Sequence, residues 1–192
     1  MTLIVYVKPR LHIPKAIQLL KLSGFSPIIT TASKHNEAYC KAAGATHIID
    51  YHDVPYPELP AAVKKITSEP ISVIYDAVAL PDVQKALWEI LAPNGKLASV
   101  APPSFGKDGE TNEDGKLVAW VYGSANGPYN YEFGKKMYAA ITELLGSGDI
   151  KVNETSIQKT VILTNLLVHS RITPRSFRED WQEFLMHSQS WL

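Results

Sequence analysis

Cysteine is almost absent: Cys40 stands alone, so no disulfide can form within the chain. That fits a reducing compartment. Charge of one sign is lacking as well. Lysine plus arginine number 19 and aspartate plus glutamate 19, a net charge of +0. The balance excludes the basic excess that nucleic acid or an anionic membrane surface would favour, and it is compatible with self-association because self-repulsion is small. No apolar run approaches the roughly 20 residues that cross a bilayer. The opening Met1–Val7 has no basic segment before it and runs into Lys8-Pro9-Arg10, the pattern of a strand and not of a secretion signal. A soluble, cytoplasmic protein with neither nucleic-acid nor membrane partners is expected.

Catalytic motifs are missing too. There is no G-x-x-x-x-G-K-[ST] phosphate loop and no G-x-S-x-G nucleophile elbow. The 6 histidines show no H-x-x-x-H spacing, so no metal site is expected. The acid pair Glu113-Asp114 lies among glycines and reads as solvated. Cys40 falls in a helical segment and reads as a buried structural thiol.

What is present is a regular alternation. Short β-branched runs recur at Leu3–Val7, Pro27–Thr31, His47–Asp50, Ser72–Ala77, Lys96–Val100 and Leu117–Tyr122. Between them lie segments of helical period: Pro14–Ser23, stopped by Gly24; His35–Ala43, stopped by Gly44; Pro57–Thr67; Asp82–Leu91, closed by the turn Pro93-Asn94-Gly95; and Glu132–Leu145, stopped by Gly146. Strands that are apolar throughout, each followed by a helix, predict an α/β fold with a doubly wound parallel sheet of six strands buried on both faces. Tyr6, Tyr75, Trp88 and Trp120 fall in these elements and are expected to pack. Ser104–Gly115 is polar and glycine-rich and reads as a mobile loop. The alternation predicts one domain over residues 1–153. Beyond it, residues 154–192 change texture and end in a helical pattern carrying Phe177, Trp181 and Trp191, a tail expected to dock on the domain or on a second copy.

Several segments together resemble one family. Ala16–Phe25 followed by Ile28–Ser33, Gly44-Ala45-Thr46-His47-Ile48-Ile49-Asp50-Tyr51, Val73-Ile74-Tyr75-Asp76-Ala77 and Leu91–Leu97 occur in the order seen in the cofactor domain of zinc-independent medium-chain dehydrogenases/reductases. The resemblance is to the fungal branch that is quinone-oxidoreductase-like and trans-enoyl-reductase-like, and Tyr131–Gly134 through Gly148–Lys151 belongs to it as well. It implies strand order 3-2-1-4-5-6 and a site for NADPH across the carboxyl ends of the strands. Carried onto this sequence, it places the adenosine ribose beside Thr31, Ala32, Ser33 and Lys34. A serine and a lysine in place of an acid suit a 2′-phosphate and favour NADPH over NAD. Ser33 is equally placed to cap the helix that begins near His35. The resemblance puts Tyr51 near the adenosine, Asp76, Ala77 and Val78 along the cofactor path, and Ala101 near the nicotinamide.

Two departures temper what the family implies. Relatives carry a glycine-rich turn after the first strand, which lets the backbone approach the pyrophosphate. Here Val7-Lys8-Pro9-Arg10-Leu11-His12-Ile13-Pro14 holds no glycine, and its prolines remove amide donors. Lys8, Arg10 and His12 are the candidate replacements for that lost anion site. Relatives also join this domain to a catalytic one, whereas this sequence opens at the first strand of the cofactor domain. A truncated NADPH-dependent oxidoreductase, binding weakly and turning over little alone, is the expectation. The rival is a non-catalytic Rossmann-type module that dimerises through strand 117–122 or the aromatic tail.

Overall fold

A computed structural model describes residues 2–6, 13–121, 128 and 130–151. The chain divides into two compact units, Met1–Tyr122 and Gly123–Trp191. The first unit alternates strands and helices: β1 (Thr2–Tyr6), α1 (Ile13–Leu22), β2 (Ile28–Thr31), α2 (Glu37–Ala43), β3 (His47–Ile49), α3 (Leu59–Ile66), β4 (Ile71–Asp76), α4 (Pro81–Ile90), β5 (Leu91–Ser99) and β6 (Leu117–Trp120). Short 3-10 turns at Lys34–Asn36 and Tyr56–Glu58 lead into α2 and α3.

Each adjacent strand pair is parallel, and the order is β3-β2-β1-β4-β5-β6, as the resemblance implies. The chain winds outward from β1 to β3, returns, and winds outward again from β4. The order therefore reverses between β1 and β4, and ligands of such sheets bind in the crevice outside that point.

The apolar spacing of each helix decides which side it buries. In α1, Ile17 and Leu20 are buried, with Lys21 in the last turn where it favours the helix dipole. In α3, Leu59 and Val63 lie four apart, one turn of the same face. With α4 residues Val83 and Leu87 they join Ile29, Ile49, Ile71, Ile74, Leu91, Leu97 and Val118 in one cluster. Each such side chain contributes about 1.5–3 kcal/mol when fully buried. Cys40 is also in the core, 1% exposed, and burial pushes its thiol up from its ordinary range. It is the inert structural thiol expected from its place in α2.

Four boundaries differ from the sequence reading. The Pro93-Asn94-Gly95 turn does not precede β5 but lies inside it. Ile71 pairs with Leu91 and Val73 with Lys96, so β5 carries a bulge where Asn94 turns through φ +60. The helix of the second unit, α5 (Tyr131–Ser147), runs through Gly146 and ends at Gly148, φ +79. A helix C-terminus is set by the residue that reaches the left-handed region, and Gly146 remains helical. Trp120 is 42% exposed and so is not a core residue. It stands at the end of β6, the edge strand of the sheet among the described residues.

The fourth difference is the Ser104–Gly115 segment, which has a folded course. It turns back along the outer edge of β6: the Asn112 amide donates to Lys116 O (3.0 Å) and the Gly109 amide to Val118 O (3.0 Å). Asn112 Oδ1 accepts from the Lys116 amide (2.8 Å) and Asp108 Oδ1 from the Trp120 amide (2.6 Å). Thr111 and Leu117 form an antiparallel bridge. The turn that starts this return takes Gly115 at φ +73, a left-handed conformation that a side chain disfavours. Glu113 and Asp114 are exposed at that turn, the solvated placement read from the sequence. The tail of residues 154–192 and the turn of residues 7–12, with Lys8 and Arg10, lie outside the described residues.

Candidate functional site

Parallel strands deliver the residues that follow them to one edge of the sheet, and two polar groups form there. The first sits after β2 and β3. Thr31 and Ser33 are buried, 1% and 4% exposed, and Lys34 is exposed. Ser33 stands at the N-cap position of the 3-10 turn, but its hydroxyl makes no cap bond. It lies 2.9 Å from His35 Nδ1 and accepts from Asn36 Nδ2 at 3.0 Å. Asp50, not singled out by the sequence reading, ties the two crossovers together. Its Oδ2 accepts from the Lys34 amide (2.7 Å) and its Oδ1 from the His52 amide (2.9 Å). Those bonds, the His52 amide first, hold its carboxyl below the usual range. Tyr51 is half-buried, and its ring stands 4.4 Å from that of His52.

The second group follows β4 and β5. Asp76 closes β4 at 0% exposure. Its Oδ1 accepts from the Val78 and Ala79 amides, both at 2.9 Å, and so shapes the β4–α4 turn. Its Oδ2 is buried without a hydrogen-bond partner among the described residues. Burial raises the Asp76 carboxyl above its ordinary range, against the pull of those two amides and of the Gln84 side chain. Tyr75 is raised too, first by burial and then by the charge of Asp76. Ala77, Val78 and Ala101 are half-buried around this turn.

Gln84 joins α4 to the segment after β5. Its Nε2 donates to Ser99 Oγ (2.9 Å), while its Oε1 accepts from the amide and the hydroxyl of Ser104, both at 2.8 Å. The Ala101 amide also reaches Ser99 Oγ, at 3.3 Å. The backbone completes the frame, with the Val100 amide donating to Asp76 O (3.1 Å). Gln84 was missed in the sequence, although a signal existed: it is a polar residue on the buried face that Val83 and Leu87 share. Asp50 left a weaker trace, an acid directly after an apolar strand.

Ala79 adopts φ 56 in the turn that Asp76 organises. A β-carbon makes that region unfavourable. Ala79→Gly is expected to raise stability by about 0.5–1 kcal/mol, read from the urea midpoint. A lower midpoint would show that the methyl contributes more by packing than the backbone loses by strain.

Residues 15–119, more than half of the chain, match the family described as zinc-binding dehydrogenase. The chain belongs to that family. Its sheet and crevice are those of a medium-chain dehydrogenase/reductase cofactor domain. Among the described residues, no group of three His, Cys, Asp or Glu side chains is placed to hold a metal ion. No helix among them is long and apolar enough to cross a membrane.

Similar proteins include two fungal trans-enoyl reductases. A trans-enoyl reductase of Gibberella zeae is 29% identical over 157 residues, covering 75% of this chain and 43% of its own length. A trans-enoyl reductase of a Penicillium species is 27% identical over 157 residues, covering 74% of this chain and 44% of its own. The chain thus spans less than half the length of these relatives. The crystal structure of Escherichia coli quinone oxidoreductase complexed with NADPH superposes with a TM-score of 0.60 at 22% identity, covering 79% of this chain and 47% of the other. That likeness shows a shared fold.

Proposed function

We propose that this chain is the dinucleotide-binding part of an oxidoreductase of the enoyl-reductase or quinone-reductase type, with NADPH as its cofactor. The observation that carries the reading is the buried Asp76 carboxylate at the carboxyl edge of β4, one oxygen shaping the turn and the other without a hydrogen-bond partner among the described residues. Buried polar groups left unsatisfied in a stable sheet mark places where a ligand or water completes the set. This one stands beside the point where strand order reverses.

The residues present fit a dinucleotide at both ends. Lys34, with Thr31, Ser33 and Tyr51 from the same strand ends, would hold the adenosine ribose. The turn Ala77–Ala79 and the segment beginning at Ala101 would flank the nicotinamide. When bound, the cofactor supplies a hydride. This chain's residues contribute position: Asp76 fixes the β4–α4 turn, Gln84 fixes the segment after β5, and the sheet keeps the two ends at a set separation. The activity of the whole reductase is inferred from the enoyl-reductase relatives.

The test is a titration of the full chain with NADPH, NADP and NADH, followed by nucleotide fluorescence and thermal shift. Saturable binding, with a midpoint that rises with cofactor concentration, is expected. A ligand at 100 times its Kd stabilises a fold by about 2.7 kcal/mol. No change at millimolar concentration of any of the three would sink the reading.

A further inference from the structure

The residues after β2 read from the sequence as selective for a 2′-phosphate, and the structure alters that balance. Ser33 is 4% exposed, and its hydroxyl is engaged by His35 and Asn36. Of the serine and lysine that favoured a phosphate, the Lys34 ammonium is left as the exposed donor. The backbone nitrogen of that same lysine is bound to the Asp50 carboxylate at 2.7 Å. The second oxygen of Asp50 is held by the His52 amide at 2.9 Å. A carboxylate anchored by two backbone amides cannot swing away as a free surface side chain would. The Lys34 charge is felt at Asp50, where it helps to lower the carboxyl, so an anion drawn to Lys34 also meets the repulsion of Asp50.

We propose that Asp50 sets the specificity of the ribose end: by placing a fixed negative charge beside Lys34, it keeps the preference for a 2′-phosphorylated dinucleotide small and leaves the site open to the 2′-hydroxyl form. An acid that discriminates against a 2′-phosphate ordinarily comes from the end of the second strand. Here it arrives from the third, across the crossover, where the second-strand sequence gives no sign of it. This inference rests on the dinucleotide reading above.

The experiment uses the full chain and two probes that carry no pyrophosphate, adenosine 5′-monophosphate and adenosine 2′,5′-bisphosphate, with affinities measured by calorimetry at low salt. Wild-type chain is expected to bind the two within about threefold of each other. Asp50→Asn is expected to shift the ratio toward the bisphosphate by about three- to tenfold, less at high salt. Asp50→Ser serves as a second variant should Asp50→Asn fold poorly, and the wild-type ratio needs no variant at all. A wild-type preference for the bisphosphate above about thirtyfold, or a ratio unmoved in both variants, overturns the role of Asp50 while leaving the dinucleotide reading standing. Binding of neither probe by the wild-type chain overturns the two together.

Discussion

Gln84→Ala is expected to lower the stability of the sheet unit by about 2–4 kcal/mol, the largest effect of any polar substitution described for this chain. The amide side chain is buried, with 0% exposure, and it is bonded at both ends. Truncation leaves Ser99 Oγ buried with the longer Ala101 bond alone and opens a void inside α4's contact with the sheet. Ser104 is exposed, so water replaces its lost acceptor and the main cost falls on Ser99 and the void. Gln84→Met separates the two contributions: it refills the volume without restoring the bonds, and is expected to recover about half of the loss. Urea unfolding measures the loss, and amide exchange at Ser104 reports release of the segment after β5. A cost below about 0.5 kcal/mol with slow exchange at Ser104 would mean that the backbone alone holds that segment.

The second large effect concerns Asp76 and carries a sign that depends on pH. Its carboxyl is raised above the ordinary value of 3.8, first by burial. The unfolded chain therefore loses this proton at lower pH than the folded one. Below the unfolded value both states are protonated and the group is neutral to stability. As pH rises from there through the raised folded value, the folded state holds more protons than the unfolded one, and stability falls. Above the folded value the penalty is complete and constant. Asp76→Asn keeps an oxygen for the Val78 and Ala79 amides and carries no charge. It is expected to flatten the pH profile and to gain on wild type as pH rises above the ordinary carboxyl value toward the raised folded one. Asp76→Ala removes the acceptor and is expected to cost about 1–3 kcal/mol at low pH, where the wild-type carboxyl is neutral. If the Asn variant kept the wild-type slope, Asp76 would not be the group that titrates.

The fold was legible because its signals are local and repeated. Val73, Ile74 and their neighbours form an apolar run with no alternation, which suits a strand covered on both faces. Gly44 closes a helix in the left-handed conformation, at φ 119, as its position after Ala43 suggests. Where the reading slipped, tertiary pairing had overridden a local preference. Asn94-Gly95 is good turn chemistry, and it does turn, but β4 continues past it and draws Leu91 into the sheet. Trp120 has the residue type of a core position and the location of an edge.

The candidate site was legible only at its backbone level. Strand ends could be named from the sequence, and Asp76 among them is the group with the buried, unpartnered oxygen. The partners of those residues could not, because each comes from a different crossover: Gln84 is 15 positions from Ser99 and 20 from Ser104, and Asp50 is 16 from Lys34. A single sequence records which side chains are polar, but the pairing among them is created when the sheet brings distant crossovers to one edge.

The return of Asp108–Asn112 along β6 has a kinetic meaning. The Lys116 amide and carbonyl, the Val118 carbonyl and the Trp120 amide, groups that a neighbouring strand would pair with, are already bonded from within. A further strand pairing along that edge would require the segment to detach first. The rate of such pairing would saturate at the rate of that unimolecular opening however concentrated the protein became.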